Sequence, residues 1–245
     1  MPLHSRLSCG VGVVAAAAAL LAGAPAAFAT RATVNAKAMP QNAAPGTPLT
    51  LAVSASLSPD LPDQSMTLAA ADVRFPDHVT LNRRLFPVCR AATINAARGS
   101  FAGCPAGSRI GAGSFRADVP AADVFNVPGR ITIFNGGDGV VTVHAFAENP
   151  VLVSEAFECR LVRTSGRFGY RLNIEVPYRL QEISEGWFVE LRTLNFTVGA
   201  KTKVRGRTRG LIEVERWTDN VPFAVTFSFL RESAPVTVNR LLDWK

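Results

Sequence analysis

Histidine and tyrosine are scarce in this chain, and most routes to a catalytic or metal centre go with them. Its 245 residues include three histidines, four cysteines and two tyrosines. Beyond the N-terminal segment only His78 and His144 remain, and neither has a partner at the spacing of zinc ligands. Cys89, Cys104 and Cys159 are too dispersed for a compact metal motif. A nucleophile elbow is missing too: in Gly107-Ser108-Arg109-Ile110-Gly111 the first glycine adjoins the serine instead of standing one residue away. Gly111-Ala112-Gly113 lacks the third glycine and the acidic residue of a dinucleotide site. No cofactor is therefore expected. Apolar runs of the roughly 20 residues needed to span a bilayer are absent after residue 30. Helical periodicity is nearly absent, with one short helix read over Ala91 to Ala97, and there is no internal repeat.

The N-terminal segment has the layout of a secretory signal. Arg6 supplies an early charge, an apolar run extends from Val11 to Leu21, and Ala27-Phe28-Ala29 offers a small-residue exit. Cleavage after Ala29 is expected, which places the mature chain outside the cytoplasm, permits disulfides and removes nucleic acid as a partner. Cys9 precedes the apolar run, the wrong order for lipid attachment. The domain reading is residues 1–29 as signal peptide and residues 30–245 as one domain, with residues 30–48 a flexible lead-in or edge. The net charge of +7 loses only Arg6 with the leader and leaves a weak bias towards anionic surfaces.

Alternating apolar residues dominate the rest. Leu49 to Leu57 reads as a strand, and Phe223, Val225, Phe227 and Phe229 alternate without a break. Asn135-Gly136-Gly137-Asp138-Gly139 and Thr164 to Gly169 read as hairpin turns between strand pairs. The turn geometry accounts for Asp138 without a calcium ion. Between Trp187 and Val198 the parity changes: Trp187, Val189 and Leu191 share one face, whereas Leu194, Phe196 and Val198 share the other. One extra residue near Arg192 or Thr193 restores a single buried face, so a β-bulge is predicted there. About ten short strands with tight turns predict an all-β, antiparallel β-sandwich, with a disulfide-stapled irregular loop region over Cys89 to Gly113.

Three cysteine pairings are open, and the short separation of Cys89 and Cys104 favours theirs, leaving Cys159 as a buried strand thiol. His144 shares a face with Thr142 and Phe146, with Glu148 one step on, an arrangement compatible with acid–base chemistry but equally with a structural histidine. Glu182 and Glu185 beside Gly186 read as an exposed loop, although paired carboxylates serve glycosidases. Lys201, Lys203, Arg205, Arg207 and Arg209 alternate with Thr202, Val204, Gly206 and Thr208. If extended, this stretch puts five cations on one side, a candidate patch for anionic cell-wall polymer, glycan or lipid headgroups; the alternative is a solvated hairpin guarding a sheet edge. Trp187, Tyr170, Tyr178 and Trp217 offer a sugar platform or core packing.

The segment Phe86-Pro87-Val88-Cys89, with Ala91-Ala92-Thr93-Ile94 and then Cys104-Pro105-Ala106-Gly107-Ser108-Arg109-Ile110-Gly111-Ala112-Gly113, resembles a pattern in uncharacterised secreted β-rich proteins of actinobacteria. The resemblance implies secretion and the Cys89–Cys104 bridge, and it implies no activity. Members of that family often carry a further cysteine after the basic turn, where this chain has Trp217. The function expected is non-enzymatic binding or structural association at the bacterial surface. An amphiphile-carrying sandwich and a secreted carbohydrate-active hydrolase are the rivals. They differ in what they require: an exposed patch, an apolar cavity, or a cleft with converging titratable groups.

Overall fold

The computed structural model describes residues 30–60, 65–216, 221–231 and 234–243. The expected signal peptide, Cys9 and Trp217 lie outside these residues. In chain order the strands are β1 (Arg31–Met39), β2 (Pro48–Ser58), β3 (Leu68–Pro76), β4 (Val79–Leu81), β5 (Arg109–Val119), β6 (Val124–Gly137), β7 (Val140–Ala147), β8 (Val153–Arg163), β9 (Phe168–Glu175), β10 (Glu190–Val198), β11 (Lys201–Val204), β12 (Arg207–Gly210), β13 (Ile212–Val214), β14 (Pro222–Phe229) and β15 (Val236–Leu241). Two short helices, α1 (Ala91–Ala96) and α2 (Tyr178–Gln181), lie in the connections.

The all-β antiparallel class is as expected, and so is the stapled loop region. The opposing walls of a sandwich belong here to one hydrogen-bonded sheet. A 13-stranded sheet runs β15-β14-β3-β9-β8-β7-β6-β5-β10-β2, with β1 beyond β2 and the short β13 and β4 as a side branch. Sheets of this width twist and curl rather than stay flat. This one curls until its ends meet: the Ala38 N–H donates to the Asp243 carbonyl at 2.7 Å, and the Asp243 N–H donates to Ala36 at 2.8 Å. Arg240 Nε adds a bond to the Val34 carbonyl at 3.2 Å. Closure removes the two free edges that a sheet of this size would otherwise present to a neighbour.

Residues 30–48, expected as a flexible lead-in, thus include the strand that closes the wall. Val34, Ala36 and Ala38 of β1 are buried, and all of β1 pairs with β2 from Arg31/Ser58 to Met39/Thr50. Small alternating residues hid this strand from a hydrophobic pattern. The bulge expected in β10 is present: its register against β5 shifts between Leu191 and Thr193. Arg192 is the extra residue, so Leu191, Leu194, Phe196 and Val198 all face inward. Its guanidinium meets Asp118 at 2.5 Å and Glu190 at 3.0 Å, which fixes the bulge. The β6–β7 turn forms as read, with Gly137 and Gly139 at φ of 95° and 69°, a region where a side chain is strained. Gly129 is required for a different reason: a Cβ there would lie 2.0 Å from the Phe115 ring, which covers the glycine across the ladder.

The two ends of the barrel are built differently. At one end β4, β13 and residues 82–108 fold over the opening beside the tight β6–β7 and β8–β9 turns. Leu49, Val79, Phe86, Ile110, Leu211 and Ile212 are all buried there. At the other end lie the β5–β6, β7–β8 and β14–β15 turns and the α2 connection. Outside the wall, α1 packs on β7 and β8 in a small satellite core of Cys89, Ala91, Ile94, Phe134 and Ala156, with Cys104 against it.

The Cys89–Cys104 disulfide holds this satellite, with a sequence separation of 15 and a Cα–Cα distance of 5.2 Å. A loop of that length is worth about 3 kcal/mol in the chain-entropy model. Replacing both cysteines by serine is expected to lower the thermal midpoint by roughly 6–12 °C for a domain of this size, measured by circular dichroism. A shift below 2 °C would show that α1 is held by packing alone.

Candidate functional site

Period-2 alternation in strands that close into a barrel sends one apolar face into a common interior. Apolar side chains of β1, β2, β3, β5 to β10 and β14 all line one cavity of about 320 Å³. The polar residues in its lining are Arg83, Asn135 and Asn149. A filled core would bury these apolar side chains completely, because protein interiors pack at crystal-like density. Here Ile131, Val143, Phe157, Ile174, Leu194 and Phe196 are only half-buried although they point inward. Accessible apolar surface of this kind stays dry and accepts apolar guests. The volume falls at the lower end of small-molecule sites.

At one end β4 and β13 cover the cavity, and at the other it lies beneath α2. Val153, Phe157, Ile174, Val176, Leu180 and Ile183 line the α2 side, and each keeps part of its surface accessible. The wall itself parts there. The β8–β9 ladder spans only Arg160–Arg163 against Tyr170–Asn173, so Val153–Cys159 has no partner on β9. At Ala156, Asn95 of α1 takes the place of that partner: its amide donates to the Ala156 carbonyl at 2.8 Å and accepts the Ala156 N–H at 2.9 Å.

Asn135 is the buried polar residue that the sequence reading passed over as part of a turn. At 1% exposure, its Nδ2 donates to the carbonyls of Phe86 at 2.8 Å and of Arg83 and Pro87 at 3.2 Å. It ties the stapled loop to β6 at the end that β4 and β13 cover. An Asn ahead of a glycine turn gives no hint that three carbonyls converge on it.

The basic stretch is a hairpin. β11 pairs with β12 from Lys201/Gly210 to Val204/Arg207, with Arg205 and Gly206 in the turn at φ of 50° and 79°. Cross-strand partners share a face, so Lys201 and Lys203 lie on one side while Arg207 and Arg209 lie on the other. The continuous five-cation side of an extended strand does not form, because the two-residue turn reverses the chain. Arg209 is also engaged: its Nε donates to Glu213 Oε1 and its Nη2 to Oε2, each at 2.9 Å.

Glu213, 5% exposed, also accepts the Gly210 N–H at 2.8 Å. Burial alone would raise its carboxyl, but hydrogen bonds from Arg209, Gly210 and Asn82 hold it below the usual carboxylate range. Its folded value is therefore depressed. The stability it contributes is complete above the unfolded carboxylate pKa of about 4.3 and disappears as pH falls through the folded value. Thermal midpoints measured from pH 6 down to pH 3 should drop in the native chain, and Glu213→Gln should flatten that part of the profile. An unchanged slope in the variant would assign the acid sensitivity elsewhere.

The remaining candidates are separated. His144 lies on the outer face of β7, 4% exposed, with Nε2 3.0 Å from Ser154 Oγ and its ring edge-on to Phe101. Burial lowers its pKa, so it is held neutral under the loop. Glu148 is exposed in the next turn. Cys159 is 1% exposed, and burial followed by the neighbouring Glu158 charge pushes its thiol up to about 12, which makes it chemically quiet. Glu182 accepts the Gly186 N–H at 2.6 Å and shapes the loop after α2, where Glu185 is exposed. Tyr170 and Tyr178 lie at opposite ends of the barrel and share no surface, Trp187 follows α2 at the Tyr178 end, and Trp217 lies outside the described residues.

Among the described residues, no three His, Cys, Asp or Glu side chains gather as metal ligands, and no helix is long and apolar enough to cross a membrane. Comparison with protein-family models, curated proteins and solved structures gives no match to this chain.

Proposed function

We propose that this chain is a secreted, non-catalytic carrier that encloses the apolar part of a single-chain amphiphile within its barrel. One observation carries the reading: inward apolar side chains from nearly the whole ring line one cavity and retain accessible surface. Secretion rests on the signal-like leader, on the resemblance of the Phe86 to Gly113 segment to secreted actinobacterial proteins, and on the disulfide, a bond favoured outside the cytoplasm. The anionic-polymer reading of Lys201, Lys203, Arg205, Arg207 and Arg209 has less support, because the hairpin divides them and Glu213 holds one. The hydrolase reading has less again, since His144 is buried on the outer face of β7 while Glu182 and Glu185 belong to the loop after α2.

Titration of the mature chain with a fluorescent polyene fatty acid tests the proposal. Saturable binding of one probe per protein, little affected by salt, is expected. Changing Lys203, Arg205 and Arg207 together to serine should leave that binding unchanged. Absence of saturable binding, or its loss in the triple variant, would overturn the carrier reading.

A further inference from the structure

We infer that the α2 end of the barrel is a loading mouth that docks on a lipid bilayer; this rests on the carrier reading and specifies where its ligand enters. The first observation is the rim. Phe125, Leu152, Tyr178 and Leu230 are 57%, 70%, 63% and 42% exposed. They sit at the start of β6, in the β7–β8 turn, on α2 and in the turn after β14. Antiparallel order brings all four of these positions to the same end. Large apolar side chains held in water on four separate connections cost solvation, and a shared apolar surface would recover it.

The second observation is independent of exposure. Leu152 immediately precedes β8 and Tyr178 follows β9, so the two stand on either side of the place where those strands part. A frayed ladder would leave backbone groups without partners, but the Asn95 amide satisfies Ala156 in both directions. The parting is therefore a built feature. Below it, Val153, Phe157, Ile174 and Val176 lead into the cavity. Apart from Glu155, which shares their face between Val153 and Phe157, the residues leading from the rim to the interior are apolar.

The chemistry of the rim points to a bilayer as its occupant. Arg179 adjoins Tyr178 and Arg231 adjoins Leu230, both exposed, and Arg231 stacks 5.0 Å from the Phe188 ring. Apolar tips flanked by guanidinium groups match acyl chains beneath phosphates. Asp123, Glu148 and Glu185 at the same end outnumber those two guanidinium groups, so insertion of the tips and not net charge holds the contact. A bilayer is also a source of the single-chain amphiphile that the cavity suits.

The experiment uses the mature chain with phosphatidylcholine vesicles loaded with the fluorescent polyene fatty acid. Wild-type protein should co-sediment with the vesicles at both low and high salt, and should withdraw the probe from them. Leu152→Ser with Tyr178→Ser, both at exposed sites, should fold normally and bind probe added from solution with unchanged affinity. Its vesicle-bound fraction and its rate of withdrawal should each fall at least tenfold. Wild-type rates in the double variant would overturn the mouth. A rim that instead pairs two copies, seen as a vesicle-independent dimer that the substitutions dissociate, would overturn it too. Failure of the wild type to bind probe from solution would instead defeat the carrier reading, whether or not vesicles were bound.

Discussion

Val143→Phe is expected to leave the barrel folded and to reduce affinity for the fatty-acid probe at least tenfold. Val143 is half-buried on β7, facing inward, and pairs in register with Ile133 on one side and Phe157 on the other. All three line the cavity. In a fully packed core, the extra ring would force neighbours off their rotamers at about 1–3 kcal/mol. Here the ring enters existing space, so the thermal midpoint should stay within a few degrees. The same ring occupies volume that a guest needs within about 320 Å³. A tenfold loss corresponds to about 1.4 kcal/mol of binding free energy. Val143→Ala, which enlarges the space, should retain binding. Strong destabilisation by phenylalanine, without effect on the probe, would mean that the interior is core and not a site.

Asn135→Asp is expected to be the most destabilising single change, by about 3–5 kcal/mol near neutral pH, as for a buried charge left uncompensated. The substitution removes both side-chain donors and points a carboxylate at the carbonyls of Arg83, Phe86 and Pro87. The charged form is disfavoured by burial and by those oxygens, so the folded pKa of the new group lies above its unfolded value. The penalty relative to wild type at the same pH should therefore grow as pH rises from about 4 and shrink on acidification, when a single O–H donor returns. Asn135→Leu, which strands the same carbonyls without adding a charge, should cost about 1–3 kcal/mol at every pH. Urea titrations at pH 4.5 and pH 7 separate the two. An Asp variant no worse than Leu at pH 7 would show that solvent reaches this site.

The sheet elements were legible because period 2 is a local property. Phe223 to Phe229 and Leu49 to Leu57 show their buried face directly. The β10 bulge was legible for the same reason, since a parity change between Leu191 and Leu194 has one inexpensive explanation. β1 escaped because Ala36 and Ala38 fill an inward face without looking hydrophobic. The basic stretch misled because alternation along a chain fixes a face only while the chain stays extended, and the turn at Arg205 and Gly206 ends that condition.

The sequence by itself determined strand composition, hairpin turns and the β10 bulge, each set by neighbours within a few residues; it favoured the pairing of Cys89 with Cys104, which the structure fixed. Only the tertiary structure decided that the sheet closes, that Asn135 meets three carbonyls and that the inward side chains stop short of filling the interior. Those depend on contacts between residues far apart in the chain, such as Ala38 with Asp243. Whether opposing walls touch or leave room is set by strand number and curvature, which no single segment encodes.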